Sequence, residues 1–180
     1  FNIDSFFNNP EYSYNYKSKY TLSKKHILEW IKLSIGETPV KIFNMKIFHM
    51  YGENDSMKKF IPFIISEIKN NVPYINLTEG DQKRDFIFVD DVVNAFEIVM
   101  NSCHRLPNYE NFDVGTGKVT AIKDLIILIK SKLNSQTELR FGKINYRKNE
   151  IMFSKASNEK LVKLGWEIHY DLEKGISNVL

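Results

Sequence analysis

Tyr20 and Lys24 lie four residues apart at the head of a segment whose apolar residues, Leu22, Ile27, Leu28, Ile31 and Ile35, recur near helical spacing. Residues four apart on a helix share a face, so the phenol and the ammonium are neighbours. A lysine there favours the phenolate and can hold a ribose hydroxyl, which lets Tyr20 give or take a proton near neutral pH. The spacing by itself is common: Tyr16 and Tyr20 are also four apart, and a solvated face of a lysine-rich helix looks the same. The second set able to do chemistry is the arginines. Only Arg84, Arg105, Arg140 and Arg147 stand among 25 basic residues, and a planar guanidinium fork suits phosphate or carboxylate in a way that lysine does not.

These groups need a frame. The pattern predicts a strand over 1–5, a helix over 20–35 stopped by Gly36, and a buried strand over 40–50 that turns at Tyr51-Gly52. A helix follows over 57–70, with Pro62 tolerated in its first turns. Next come a short strand over 74–77, a turn over 79–82, a strand over 86–89, and a helix to about residue 103 capped by Asp90 or Asp91. A strand over 111–114 closes on Gly115-Thr116-Gly117, which lacks phosphate-loop spacing and is explained by tight turning. Thr120 is expected to cap a helix over 121–133; a strand over 138–141, a helix over 159–164 ended by Gly165, and a terminal helix capped by Asp171 complete the chain. Strands alternating with helices argue for an α/β fold of parallel character, the tail of a doubly wound sheet followed by a small substrate domain.

Composition narrows the function classes. With 43% hydrophobic and 26% charged side chains over 180 residues, the chain can bury one sizeable core, and disorder, collagen and coiled coil are excluded. Its longest apolar runs, over 60–65 and 125–129, fall far short of the roughly 20 residues that cross a bilayer, so no membrane association is expected. Residues 1–20 carry no basic flank leading into an apolar stretch, so no secretory signal is expected there. The single Cys103 makes no internal disulfide and no Cys/His cluster has zinc spacing, which points to a cytoplasmic chain without a metal. Net charge is +3, but the basic residues are dispersed among 22 acids, so nucleic-acid binding is not expected.

Order along the chain adds what spacing lacks. Asp4-Ser5 end a strand, Tyr20 and Lys24 open the next helix, and His49-Met50-Tyr51-Gly52 end the following strand. Gly80-Asp81-Gln82-Lys83-Arg84-Asp85-Phe86-Ile87-Phe88-Val89-Asp90-Asp91-Val92 comes next, then Phe112-Asp113-Val114-Gly115-Thr116-Gly117, Tyr146-Arg147-Lys148-Asn149-Glu150-Ile151 and Leu164-Gly165-Trp166. This succession resembles the extended short-chain dehydrogenase/reductase family, the NAD(P)-dependent epimerases, dehydratases and reductases of nucleotide sugars. Within it, the stretch before Tyr20 and the form of the 49–52 motif look most like reductases of CDP- or dTDP-linked 4-keto-6-deoxyhexoses.

The resemblance implies roles residue by residue. Tyr20 looks like the catalytic tyrosine and Lys24 its partner on the nicotinamide ribose, both touching NAD or NADP. The hydroxyl that hydrogen-bonds the sugar O4 falls near Ile3 and Asp4, where Ser5 is the nearby candidate. Arg84 and Arg147 match two arginines that grip the nucleotide diphosphate, His49 sits where the family often has an asparagine touching it, and Lys59 and the strand over 74–77 lie where phosphate and nucleobase are contacted. Blander alternatives stay open: Arg84 paired with Asp85 or Asp91, Arg147 with Glu150, Lys59 solvated, His49 structural and Trp166 core. The G-x-G-x-x-G type of loop that a cofactor pyrophosphate needs does not occur in the chain. The chain is therefore expected to be about the C-terminal three-fifths of such an enzyme, the cofactor half being absent from it. Residues 1–56 would be the end of the NAD(P)-binding Rossmann domain and 57–180 mainly the substrate domain, with about 84–110 returning to the first. The expected reaction is reduction at the sugar C4 in surface-polysaccharide synthesis, by a cytoplasmic protein that is a homodimer at full length. A 4-epimerase or 4,6-dehydratase is the nearest alternative, and a non-catalytic nucleotide-sugar-binding protein the alternative from another class.

Overall fold

The computed structural model describes residues 19–180 apart from 36, 38 and 149, and the side chains of Tyr20 and Thr21 fall outside it. The strand expected over 1–5, with Ser5, and the stop at Gly36 lie outside the described residues. Helix α1 (Lys19–Ser34) is followed by β1 (Ile42–Ile47), β2 (His49–Tyr51), α2 (Phe60–Lys69), β3 (Tyr74–Asn76), β4 (Lys83–Arg84), β5 (Phe86–Phe88) and α3 (Val89–Ser102). After a turn of 3₁₀ helix at Cys103–Arg105 come β6 (Tyr109–Val114), β7 (Thr120–Ala121), α4 (Ile122–Lys132), β8 (Glu138–Arg140), β9 (Phe153–Ser154), α5 (Glu159–Lys163) and α6 (Leu172–Val179).

The strands pair in parallel as an α/β fold requires: β1 with β6, β2 with β5, β3 with β8 and β4 with β9, while β4 meets β7 antiparallel. The single strand expected over 40–50 is divided. Phe48 is its pivot: Ile47 still faces Val114 on β6, whereas His49 already faces Phe86 on β5. One extended run therefore serves two partners in turn.

Two apolar cores lie behind these strands. Ile64, Ile68, Leu125, Ile129 and Ile176 come from α2, α4 and α6 and close on Phe86 and Phe88. Ile87, Val92, Val99, Phe112, Leu161 and Trp166 form the other, between α3, α5 and the β1–β6 pair. Successive residues of β5 point to opposite faces, so Phe86 and Phe88 enter one core and Ile87 the other. Trp166 is core, as expected, with its Nε1–H donating to the Asp91 carbonyl at 3.0 Å.

Two expected caps differ. Thr120 belongs to β7 and caps nothing; α4 starts behind Ala121 without a side-chain cap. Asp90 and Asp91 lie inside the first turn of α3, behind Phe88. Asp91 is buried, and its carboxylate accepts the His169 and Tyr170 N–H groups at 2.9 and 3.0 Å, fixing the segment that leads into α6. Asp171 caps α6 as its position predicts, accepting the Lys174 N–H at 2.8 Å.

Candidate functional site

Parallel pairing of β4 with β9 sets Arg84 opposite Ser154, and the Lys83 N–H donates to the Met152 carbonyl at 2.8 Å. The residues just before β9 are thereby laid beside Arg84. Glu150 is among them: Arg84 Nη2 donates to Glu150 Oε1 at 2.9 Å, and Nη1 donates to the Lys83 carbonyl at 3.2 Å. Arg84 is only 7% exposed, so its charge needs that counter-ion. Burial pulls the Arg84 pKa down and Glu150 pushes it back up. Of the alternatives weighed from sequence, Asp85 and Asp91 are not its partners. Neighbours in an extended strand point to opposite faces, so Asp85 could not share a side with Arg84.

Arg147 joins the same place through backbone. The Glu150 N–H donates to the Arg147 carbonyl at 3.0 Å, a turn that keeps Arg147 within a few residues of Arg84's partner. Arg147 is exposed and forms no ion pair among the described residues; Glu150's carboxylate goes to Arg84 instead.

His49 lies on the neighbouring strand. Its N–H donates to the Asp85 carbonyl at 3.1 Å, and its ring tilts against Phe86 with centroids 5.9 Å apart. Burial, and after it the Arg84 charge, lowers the imidazole pKa to about 4, so His49 is neutral near pH 7. Arg84 and His49, both singled out from sequence, thus lie close enough for the Arg84 charge to act on the imidazole, and the backbone turn that carries Arg147 ends at Glu150, the partner of Arg84.

The support beneath this group is Asp85, fully buried. Its Oδ1 accepts the Thr116 N–H and hydroxyl, both at 2.7 Å, and its Oδ2 accepts the Gly117 N–H at 2.9 Å and the Ala156 N–H at 3.0 Å. One carboxylate ties the Gly115-Thr116-Gly117 turn and the exit of β9 to the strand that carries Arg84. A Cβ on Gly115 would come within 3.0 Å of Asp85 Oδ2, which is why the turn needs glycine there.

The remaining candidates stand elsewhere. Lys59 precedes α2, about half exposed, with its Nζ 2.9 Å from Asp55. Tyr20 and Lys24 are on α1 one turn apart as expected, and Lys24 is exposed. Among the described residues no group of three or more His, Cys, Asp or Glu could hold a metal ion, and no helix is long and apolar enough to cross a membrane.

Comparison with known proteins agrees with this frame. A CDP-abequose synthase of Salmonella typhimurium is 36% identical over 99% of the chain, which covers 60% of that protein. A dTDP-4-dehydro-6-deoxyglucose reductase of Escherichia coli is 28% identical over 95% of the chain and is covered to 52%. The UDP-glucose 4-epimerase of Thermotoga maritima, solved with UDP-glucose, superposes with a TM-score of 0.78 over 89% of the chain at 23% identity, and the chain spans 51% of it. The chain thus has the Rossmann-like fold over roughly half to three-fifths of the length of these relatives. The model of the NAD dependent epimerase/dehydratase family matches residues 5–115. With well over half of its residues inside that match, the chain belongs to the NAD dependent epimerase/dehydratase family.

Proposed function

We propose that the protein is an NAD(P)-dependent oxidoreductase that reduces a 4-keto-6-deoxyhexose carried on a CDP or dTDP diphosphate, in the building of a surface polysaccharide. The observation that supports this reading is that Arg84 bonds Glu150, whose N–H closes the turn carrying Arg147, with a neutral His49 near Arg84, an arrangement in which two guanidinium groups could serve one diphosphate. The similarity to a CDP-abequose synthase over nearly the whole chain supports the CDP-linked sugar, and the similarity to a deoxysugar reductase supports the direction.

The residues that fit NAD(P) in this chain are Tyr20 and Lys24 on one turn of α1, a phenol and an exposed ammonium matching the nicotinamide ribose. When bound, the reduced cofactor supplies the hydride. In this reading Tyr20 holds the proton that the sugar C4 oxygen takes up, Lys24 holds the nicotinamide ribose, and the Ser5 hydroxyl supports the oxygen as charge develops on it. Arg84 and Arg147 grip the diphosphate, with His49 beside them as a neutral hydrogen-bonding group and Lys59 at the outer phosphate. In this reading 1–56 serve the cofactor, 57–180 mainly the sugar nucleotide, and about 84–110 return to the cofactor domain.

The test follows reduced-nicotinamide absorbance when the purified protein, carrying the cofactor-binding half that this chain lacks, meets a CDP-4-keto-6-deoxyhexose. One cofactor oxidised per sugar reduced is expected, whereas an epimerase would show no net consumption. Tyr20→Phe removes only the proton-carrying oxygen and should slow turnover at least ~10²-fold while CDP-sugar affinity stays the same. Unchanged turnover in that variant refutes the catalytic assignment.

A further inference from the structure

Arg147 is exposed, so its placement depends on the backbone that carries it. That backbone runs along the loop leading into Arg84. The Leu77 N–H donates to the Arg140 carbonyl at 2.9 Å, and the Ile144 N–H donates to the Leu77 carbonyl at 3.1 Å. Two residues further on, the Tyr146 hydroxyl accepts the Asp81 N–H at 3.1 Å, a bond that spans 65 residues of sequence. Behind Arg147 the chain is held again, where its carbonyl accepts the Glu150 N–H at 3.0 Å. Arg147 is thus carried between two anchors, and the one ahead of it is the side chain of its immediate neighbour. The socket for that side chain is itself fixed. The Gly80 and Gln82 carbonyls accept the Lys123 and Ile122 N–H groups from the start of α4, each at 3.0 Å, and Lys123 Nζ lies 2.7 Å from Asp81 Oδ1. Arg84 stands three residues after Asp81. Tyr146 therefore ties the residue before Arg147 to the same short loop that ends on Arg84.

We propose that Tyr146 is a positioning residue, which seats the backbone of Arg147 on the loop before Arg84 so that the nucleotide diphosphate meets an arginine already in place. This rests on the reading of Arg147 as a ligand of the diphosphate. The gain is one of ordering: an exposed segment that must be fixed at the moment of binding takes its cost out of the affinity, and a segment anchored beforehand does not. A phenol suits the task, because its oxygen accepts a backbone N–H while the rigid ring gives up little freedom in being held. Tyr146 itself touches no ligand in this account. It acts through Arg147, and its effect on binding should vanish when that guanidinium is gone.

The experiment is calorimetric titration of CDP into the whole protein that carries this chain and into its Tyr146→Phe, Arg147→Ala and doubly substituted forms, each checked for folding by its urea transition. Tyr146→Phe keeps the ring and removes the oxygen that accepts the Asp81 N–H, so CDP binding should weaken roughly fivefold to tenfold, the scale of one neutral hydrogen bond. The double substitution should bind no more weakly than Arg147→Ala alone, because an anchor that acts through Arg147 then has nothing left to place. A double form weaker than Arg147→Ala is what a merely structural role predicts. That result, or unchanged CDP binding in Tyr146→Phe, overturns the positioning and leaves Arg147 as a ligand. If Arg147→Ala binds CDP like the unaltered protein, or if the unaltered protein does not bind CDP, the reading of Arg147 fails and the positioning with it. Should Tyr146→Phe not fold, the crystal structure of the unaltered protein with CDP decides. Tyr146 on the Asp81 N–H and Arg147 on phosphate are expected there, and the loss of either contact overturns the proposal.

Discussion

Replacing Asp85 by Asn keeps the shape of the side chain and removes its charge and part of its accepting capacity. Four donors converge on this carboxylate, two on each oxygen, at 2.7–3.0 Å, in a fully buried position. An amide can place its NH₂ on either side. On the Oδ2 side it would confront the Gly117 and Ala156 N–H groups, neither of which can accept. On the Oδ1 side the Thr116 hydroxyl can accept from the amide while turning its own proton to the Lys118 carbonyl at 3.2 Å, so that just the Thr116 N–H is orphaned. The second arrangement is the cheaper one. It costs roughly 1–3 kcal/mol for the orphaned N–H, and the remaining bonds lose their charge assistance, for about 3–5 kcal/mol in all. Against a total stability of about 5–15 kcal/mol for a domain this is a large fraction. Urea unfolding followed by tryptophan fluorescence measures it, since Trp166 is buried in the core and reports its loss. A loss below about 1 kcal/mol at unchanged slope would mean that the turn and the β9 exit hold their places without Asp85, and the account of how Arg84 is supported would fall.

Two further outcomes follow from packing and charge. Gly175→Ala in α6 should destabilise by roughly 1–3 kcal/mol, reversing the gain that alanine normally brings to a helix, because the new methyl runs into the Tyr51 hydroxyl and lies 3.2 Å from Phe88 Cδ2; a raised melting temperature refutes this. His49 should titrate near pH 4 by NMR. Because the unfolded imidazole takes its proton at an ordinary value near 6.5 and the folded one does not, stability is fully present above about pH 6.5 and falls as pH drops towards 4. His49→Gln should lose less stability between pH 7 and 4.5 than the unaltered protein, and equal losses would show that burial does not hold the ring neutral.

The helices were legible because their apolar residues repeat over several turns: α1, α2, α3 and α4 begin and end within a few residues of where periodicity puts them. Arg84 and Arg147 were legible as candidates because scarce arginines stand out against lysines, and the family resemblance alone paired them. What connects them was not. β9 is two residues long and has no pattern of its own, yet its pairing with β4 is what delivers Glu150 to Arg84. Sequence reasoning offered Glu150 to Arg147 only as the blander alternative, by proximity along the chain, while the tertiary pairing gives it to Arg84 across 66 residues. Asp85 was readable in part: next to Arg84 in a strand, it had to face away, and a buried carboxylate facing away must find donors. Asp91 looked like a cap because it stands at a helix start; the same carboxylate in fact holds a segment 78 residues further on. Short strands and distant pairings leave no local periodicity, and those are the features that assemble the site.

The division of one extended run between two partners has a kinetic side. Asn44 on β1 bonds Asn111 on β6, 67 residues later, and Asp85 beside β4 waits for Ala156, 71 residues later. At ribosomal speeds of roughly 5–20 residues per second, β1 is made about 3–13 s before the strand it pairs with exists. Closing such loops must precede any reward from the pairing, so this fold belongs with the slow, high-contact-order chains, whose strands wait exposed. Helices α2 and α3 can form locally in that interval, but the apolar stretch from Ile42 to Tyr51 has no native strand partner until β5 and then β6 emerge. During synthesis that ten-residue run is a place where a chaperone or another nascent copy would meet the chain.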